Sequence, residues 1–146
     1  MTDLTTRPPR SPRTRLGGYA LLPRMLDKCR AEVAGKNGEY HYNCPLDQHL
    51  LSYLGLDPDA LKAEVATEKG DGEILAWIAA NQKHPRGPWE IQQWSDFRDR
   101  RGPDSDEETL KFFSDYVGNL TKTREDITTW ADLLDLDDYV TFGGKA

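Results

Sequence analysis

Apolar residues recur along most of this chain at the spacing of helices, not strands. Leu22, Met25, Leu26, Cys29 and Val33 fall three or four positions apart, and Gly35 follows as a stop signal. Pro23 lies inside that stripe, so the helix either begins there or is kinked. Leu46, Leu50, Leu51 and Leu54 mark a second helix closed by Gly55. Asp57 and Pro58 open a third, as N-cap and first helical residue, with Leu56 placed to staple onto Leu61. Asp71 starts a fourth, with Ile74, Leu75, Trp77 and Ile78 inward, and a fifth carries Ile91, Trp94 and Phe97. After the break at Gly102-Pro103, Ser105 and Glu108 form a capping box for a sixth, with the stripe Leu110, Phe113, Tyr116, Val117 and Leu120. A seventh follows Thr123 to Asp126 and carries Ile127, Trp130, Leu133 and Leu134.

One stretch breaks the rule. In GEYHYNC the residues alternate, which predicts a short strand over residues 39–44 with Tyr40 and Tyr42 on one face. The expected fold is therefore mainly α: a compact bundle of six or seven short helices, with a minor strand pair near residues 39–44. At 146 residues the chain suits one domain with an adequate core. Residues 1–16 stand apart in composition. TTRPPRSPRTR predicts an extended, polyproline-like arm. Residues 17–146 form the single helical domain.

Charge narrows the function classes. The chain has 19 basic and 25 acidic residues, a net charge of -6, and a mean hydropathy of -0.75. That balance argues against nucleic-acid binding, which needs a basic surface. No apolar run is long enough to cross a membrane, and the N-terminus lacks the apolar core of a signal peptide, so a cytoplasmic location is expected. Cys29 and Cys44 make no disulfide framework. The arm concentrates positive charge in Arg7, Arg10, Arg13 and Arg15, against Asp3 alone. The last helix concentrates acid, with Asp132, Asp135, Asp137 and Asp138 crowding its C-terminal part, where they oppose the helix dipole. The arm is therefore expected to dock on this acidic end, within one chain or across a homodimer, or to bind a protein partner through its arginines.

Candidate chemistry centres on GEYHYNCPLDQH. By residue type Cys29, His41, Cys44 and His49 make a Cys2His2 zinc set, but their spacing fits no common zinc pattern. A strand would turn His41 away from Cys44, and on a helix His49 lies about 140° around from Cys44. No metal site and no cofactor are expected. Cys44 itself precedes Pro45 at a helix start, where the dipole and free N–H groups favour a thiolate. The position three residues on is Asp47, so there is no Cys-x-x-Cys dithiol. Cys44, His41 and Asp47 are the candidate catalytic residues, set against the plain alternative that Cys44 is a small buried side chain. Tyr40, Tyr42, Trp77 and Trp94 are candidates to wall a ligand pocket, set against ordinary core packing. The aspartates of DLLDLDDY lack the glycine and glutamate of an EF-hand, and Gly17-Gly18 is too little to cradle a phosphate.

The stretches PPRSPRTRLGGYALLPRMLDKCRA, GKNGEYHYNCPLDQHLLSYLGL, EILAWI with IQQWSD, and TWADLLDLDDYVTFGGKA together resemble a bacterial family catalogued as domain of unknown function 5069. Pro23 departs from the continuous helix expected there. The resemblance implies a compact, mainly helical domain in which the arm and GEYHYNCPLD belong to one unit. It implies no catalytic residues. The leading expectation is a non-catalytic module that binds a partner protein or a small ligand. The alternatives are a small thiol-dependent enzyme or redox protein using Cys44, and a His/Cys metal-binding protein.

Overall fold

Pro23 starts a helix here and kinks none. In the computed structural model, which describes residues 2–104 and 106–146, helix α1 runs Leu22–Val33 with Pro23 in its first turn, where no amide hydrogen is needed. Its N-cap, Leu21, sits in the left-handed region at φ 73°, a conformation unfavourable for a branched side chain. Two contacts hold it: the Leu21 N–H donates to the Pro12 carbonyl at 3.0 Å, and the side chain is buried.

Immediately before α1 lies the two-stranded antiparallel sheet, β1 (Arg15–Leu16) and β2 (Tyr19–Ala20), with Leu16 opposite Tyr19. Gly17 and Gly18 form its two-residue loop at φ 59° and 83°, the positive angles of a type I′ turn. A side chain at Gly17 would also meet Leu75. Ser95, fully buried, ties this hairpin to the helices: the Ala20 N–H donates to Ser95 Oγ at 2.9 Å, and the hydroxyl donates to the Gly18 carbonyl at 2.8 Å.

The remaining helices are α2 (Pro45–Leu54), α3 (Pro58–Val65), α4 (Asp71–Asn81), α5 (Pro88–Arg100), α6 (Glu107–Leu120) and α7 (Trp130–Thr141). Seven helices and one small sheet thus make the mainly α fold among the described residues. Their starts follow the local signals in most cases. Asp57 caps α3 by accepting the Asp59 N–H, and Gly55 closes α2 at φ 69°. The core gathers the expected stripes: Leu22, Met25, Leu26 and Cys29 from α1, Leu50, Leu51 and Leu54 from α2, with Leu61, Ile74 and Ile78.

Expectations for residues 39–44 and for α7 are corrected. Residues 39–44 form turns, and the strand pair lies at residues 15–20. The alternation there is broken by local hydrogen bonds: Asn37 Nδ2 donates to the Tyr40 carbonyl, and Asn43, at φ 64°, donates its N–H to Asp47 Oδ2. Tyr40 and Tyr42 consequently point to different neighbours. The capping box assigned to Ser105 and Glu108 involves a residue outside those described, and Asp106 caps α6 by accepting the Thr109 N–H at 2.7 Å. Finally, α7 begins at Trp130, capped by Thr129 with Asp132 in a reciprocal box, so Ile127 is not helical. Asp132 therefore sits in the first turn of α7, where the dipole favours it, and not in the C-terminal part.

The arm lies along the helices. Leu4 is buried and donates its N–H to the Lys36 carbonyl, and Pro9 and Pro12 are buried too. Arg10 forks onto Asp27 and reaches Asp71 at 2.8 Å, a carboxylate it shares with Arg30. Arg13 contacts Asp132 and pairs with Asp135 at 2.7 Å. Arg15 pairs with Asp96 and Asp99 at 3.0 and 2.8 Å. Arg7 is exposed and outside these pairs. No helix among the described residues is long and apolar enough to cross a membrane.

Candidate functional site

Pro45 keeps the residue before it extended, so Cys44 enters α2 as its N-cap at φ -71° and ψ 170°. The sulfur makes no cap hydrogen bond to the helix. Asp47, in the first turn, accepts the Asn43 N–H at 2.9 Å and leaves the thiol free to face α1. There it meets Lys28, whose Nζ lies 3.3 Å from Cys44 Sγ and 2.9 and 3.1 Å from the Asp47 carboxylate oxygens. Both charges are out of water, with side-chain exposures of 6% for Lys28 and 0% for Asp47. Such a pair persists only because each charge has its partner. Removing one side of a buried pair costs about 3–5 kcal/mol.

A second buried pair lies one turn back on α1. Arg24 grips Asp138 of α7 through Nη1 at 2.7 Å and Nη2 at 3.2 Å, with side-chain exposures of 4% and 9%. Tyr40 donates its hydroxyl to Asp138 Oδ1 at 2.7 Å, and the Arg24 guanidinium lies 5.6 Å from the centre of its ring. Burial, reinforced by the bond to Asp138, pushes the Tyr40 phenol above its ordinary range and keeps it a donor.

Above these pairs runs a groove between residues 40–46, α6 and α7. It consists of two adjoining cavities of about 450 and 480 Å³ that share Cys44, Leu46, Tyr116, Leu134 and Asp137. One is the more polar, floored by Arg24, Lys28 and Tyr40 with His41 and Glu39 at its edge. The other is apolar, walled by Phe112, Trp130 and Leu133, with His49 and Arg101 beside it. Helix α6 supplies the outer wall and is held lightly, by Phe113 packed edge-on against Trp130 at 5.1 Å and by the Tyr116 hydroxyl donating to Asp137 at 3.0 Å. Phe112 is 59% exposed, a large aromatic ring facing the groove and solvent.

A family model described as "Domain of unknown function (DUF5069)" matches residues 6–140. The chain belongs to that family. The match takes in most of the arm, the hairpin and α1–α6, with all of α7 but its last residue, so the DUF5069 unit includes both walls of the groove. No curated protein matches the chain.

Within this DUF5069 domain the candidate residues fall in different places. Cys44 lies where the two cavities meet, His41 is exposed at the polar edge, and Asp47 is buried beneath the thiol. Of the four aromatic candidates, Tyr40 lines the groove. Tyr42 is core, its hydroxyl donating to the Pro58 carbonyl at 2.7 Å. Trp77 and Trp94 pack on the outside of the core, Trp94 stacked on Tyr53 at 5.2 Å. Cys29 is buried in the core, and burial pushes its thiol up to about 12. His49 contacts Arg98, and burial, then Arg98 and Arg101, push its imidazole below its ordinary value. Among the described residues no three His, Cys, Asp or Glu side chains are arranged to hold a metal. Lys28, Arg24 and Phe112 were missed, and Asp138, expected to receive the arm, instead takes Arg24. The one signal for Arg24 and Lys28 was their four-residue spacing on α1, which puts them on one face.

Proposed function

We propose that this domain is a non-catalytic module that binds a small amphipathic molecule in the groove beside Cys44. The observation that carries the reading is the pair of adjoining cavities, one mostly apolar and one of mixed polarity, each of a size that holds a small molecule. An aromatic or aliphatic body fits against Phe112, Trp130 and Leu133, with a hydrogen-bonding head toward Tyr40 and His41. The arm is a weaker candidate surface for a partner, because Arg10, Arg13 and Arg15 already have carboxylate partners in the same chain.

An anilinonaphthalene sulfonate dye, apolar with one polar head, is a suitable probe. Saturable one-to-one binding to the native protein is expected, and Leu134→Trp, which fills the shared wall, should weaken it at least about tenfold. Retained near-UV circular dichroism in the variant excludes dye binding to a loosened fold. Dye binding unchanged by Leu134→Trp would overturn the reading.

A further inference from the structure

Most arginines of this chain have a carboxylate partner, as at Arg10, Arg24 and Arg124. Arg98 and Arg101, both half-buried, have none among the described residues. Burial first, and then Arg101, push the Arg98 guanidinium below its ordinary value, and no acid offsets them. Arg98 Nη1 lies 3.0 Å from His49 Nδ1. A guanidinium can only donate, so Nδ1 accepts and the neutral imidazole carries its hydrogen on Nε2. That N–H has no acceptor among the described residues. His49 and Arg101 line the apolar cavity and take no part in the more polar one, so they mark its far side. Trp130, in the same wall, buries its Nε1–H without a hydrogen-bond partner among the described residues. In a chain of net charge -6, this side of the cavity offers cations and donors with no acid to receive them.

The other side is the reverse. Asp137 stands where the cavities meet, and Glu39 edges the more polar one. Arg24 and Lys28 are already held there by Asp138 and Asp47. An anion in the more polar cavity would meet these acids, whereas one beside Arg101 meets none.

We propose that the groove takes an organic acid, with its anionic group held by Arg101 and His49 and its apolar body along Phe112, Trp130 and Leu133. The Arg101 fork suits a carboxylate, and the His49 Nε2–H adds a further donor. Arg98 is a positioning residue, because its bond to Nδ1 keeps the His49 hydrogen on Nε2. The hydrogen-bonding head toward Tyr40 and His41 is then the uncharged end of the molecule. The proposal deepens the ligand reading above and rests on it.

Two dyes test it on the full chain: anilinonaphthalene sulfonate, and N-phenylnaphthylamine, which has the same rings and no charge. The native protein should bind the sulfonate at least about tenfold more tightly. Arg101→Gln should weaken the sulfonate about tenfold and move the neutral dye less than about twofold, since only the anion loses a charge-assisted hydrogen bond. Arg101→Lys should keep part of that preference. Nitrogen NMR of His49 should find the hydrogen on Nε2 in wild type and a mixture of tautomers in Arg98→Met. A wild-type imidazole with its hydrogen on Nδ1 overturns the role of Arg98.

Equal affinity for the two dyes overturns the proposal, and that comparison needs no variant to fold. So does an Arg101→Gln loss shared equally by both dyes. If Leu134→Trp weakens both dyes while the native protein does not favour the anion, the acid proposal fails alone. If Leu134→Trp leaves both unchanged, the ligand reading itself fails, and any preference for the anion lies outside the groove.

Discussion

Replacing Asp138 with leucine leaves the Arg24 guanidinium buried beside an apolar side chain. Arg24 is 3% exposed and bonded to Asp138 through both Nη atoms, so water has little access to replace what is lost. Stranding a charge in this way costs about 3–5 kcal/mol. For a chain of this length each kcal/mol moves the melting temperature by about 3 °C, so Asp138→Leu should melt about 9–15 °C below wild type. Removing the charge as well, in Arg24→Met with Asp138→Leu, should recover most of that loss. A buried pair replaced by apolar residues of similar volume is close to neutral in stability. Tyr40 loses its acceptor in both variants, but it is half-buried, and water substitutes at a cost near 1 kcal/mol. Urea unfolding of wild type, Asp138→Leu, Arg24→Met and the double variant gives the coupling directly: the double variant should lose less than the two single variants together, with unchanged urea dependence. A double variant as unstable as Asp138→Leu alone refutes the reasoning. The loss would then come from the shape of the site and not from an unpaired charge.

Two further outcomes follow from the arm and its neighbours. The arm is held by apolar burial more than by its arginines: Leu4→Ala should cost about 2–3 kcal/mol regardless of salt, whereas Arg13→Ala, an exposed pair, should cost under about 1 kcal/mol and nothing at high salt, both read by urea unfolding. The Asp71 carboxyl is held below its ordinary value by the hydrogen bond from Arg10, against the effect of burial, with Arg30 assisting. A carboxyl depressed in the folded state stabilises fully above its unfolded value near 3.8 and loses that contribution as pH falls through the folded one. Stability should therefore drop below about pH 4. Asp71→Asn should flatten that acid limb, and a limb as steep as wild type would exclude Asp71 as a source.

The helices were legible because their signals are local. The stripe of Leu22, Met25, Leu26 and Cys29, the cap at Asp57 and the stop at Gly55 each depend on residues within one or two turns. The hairpin went unread, although Gly17-Gly18 between Leu16 and Tyr19 is itself a local turn signal. Residues 39–44 misled for a related reason. Their alternation matches a strand, but two short side chains, Asn37 and Asp47, bond the backbone locally, and among the described residues no strand lies alongside to compete.

By itself, then, the sequence determined a helical domain, the α1 and α2 stripes of its core, and a cysteine delivered by Pro45 to a helix start, while Val33, Phe97 and Leu110, placed inward by the same spacing, are exposed. Only the tertiary structure decided what that cysteine faces. Lys28 meets Asp47 from 19 positions away, and Arg24 meets Asp138 from 114. A charge can be buried only where its partner arrives in three dimensions, and residue types along the chain do not name that partner. The groove has the same origin. Phe112 reads as one more apolar residue in α6, and becomes a wall only because Phe113, one position on, anchors the helix against Trp130.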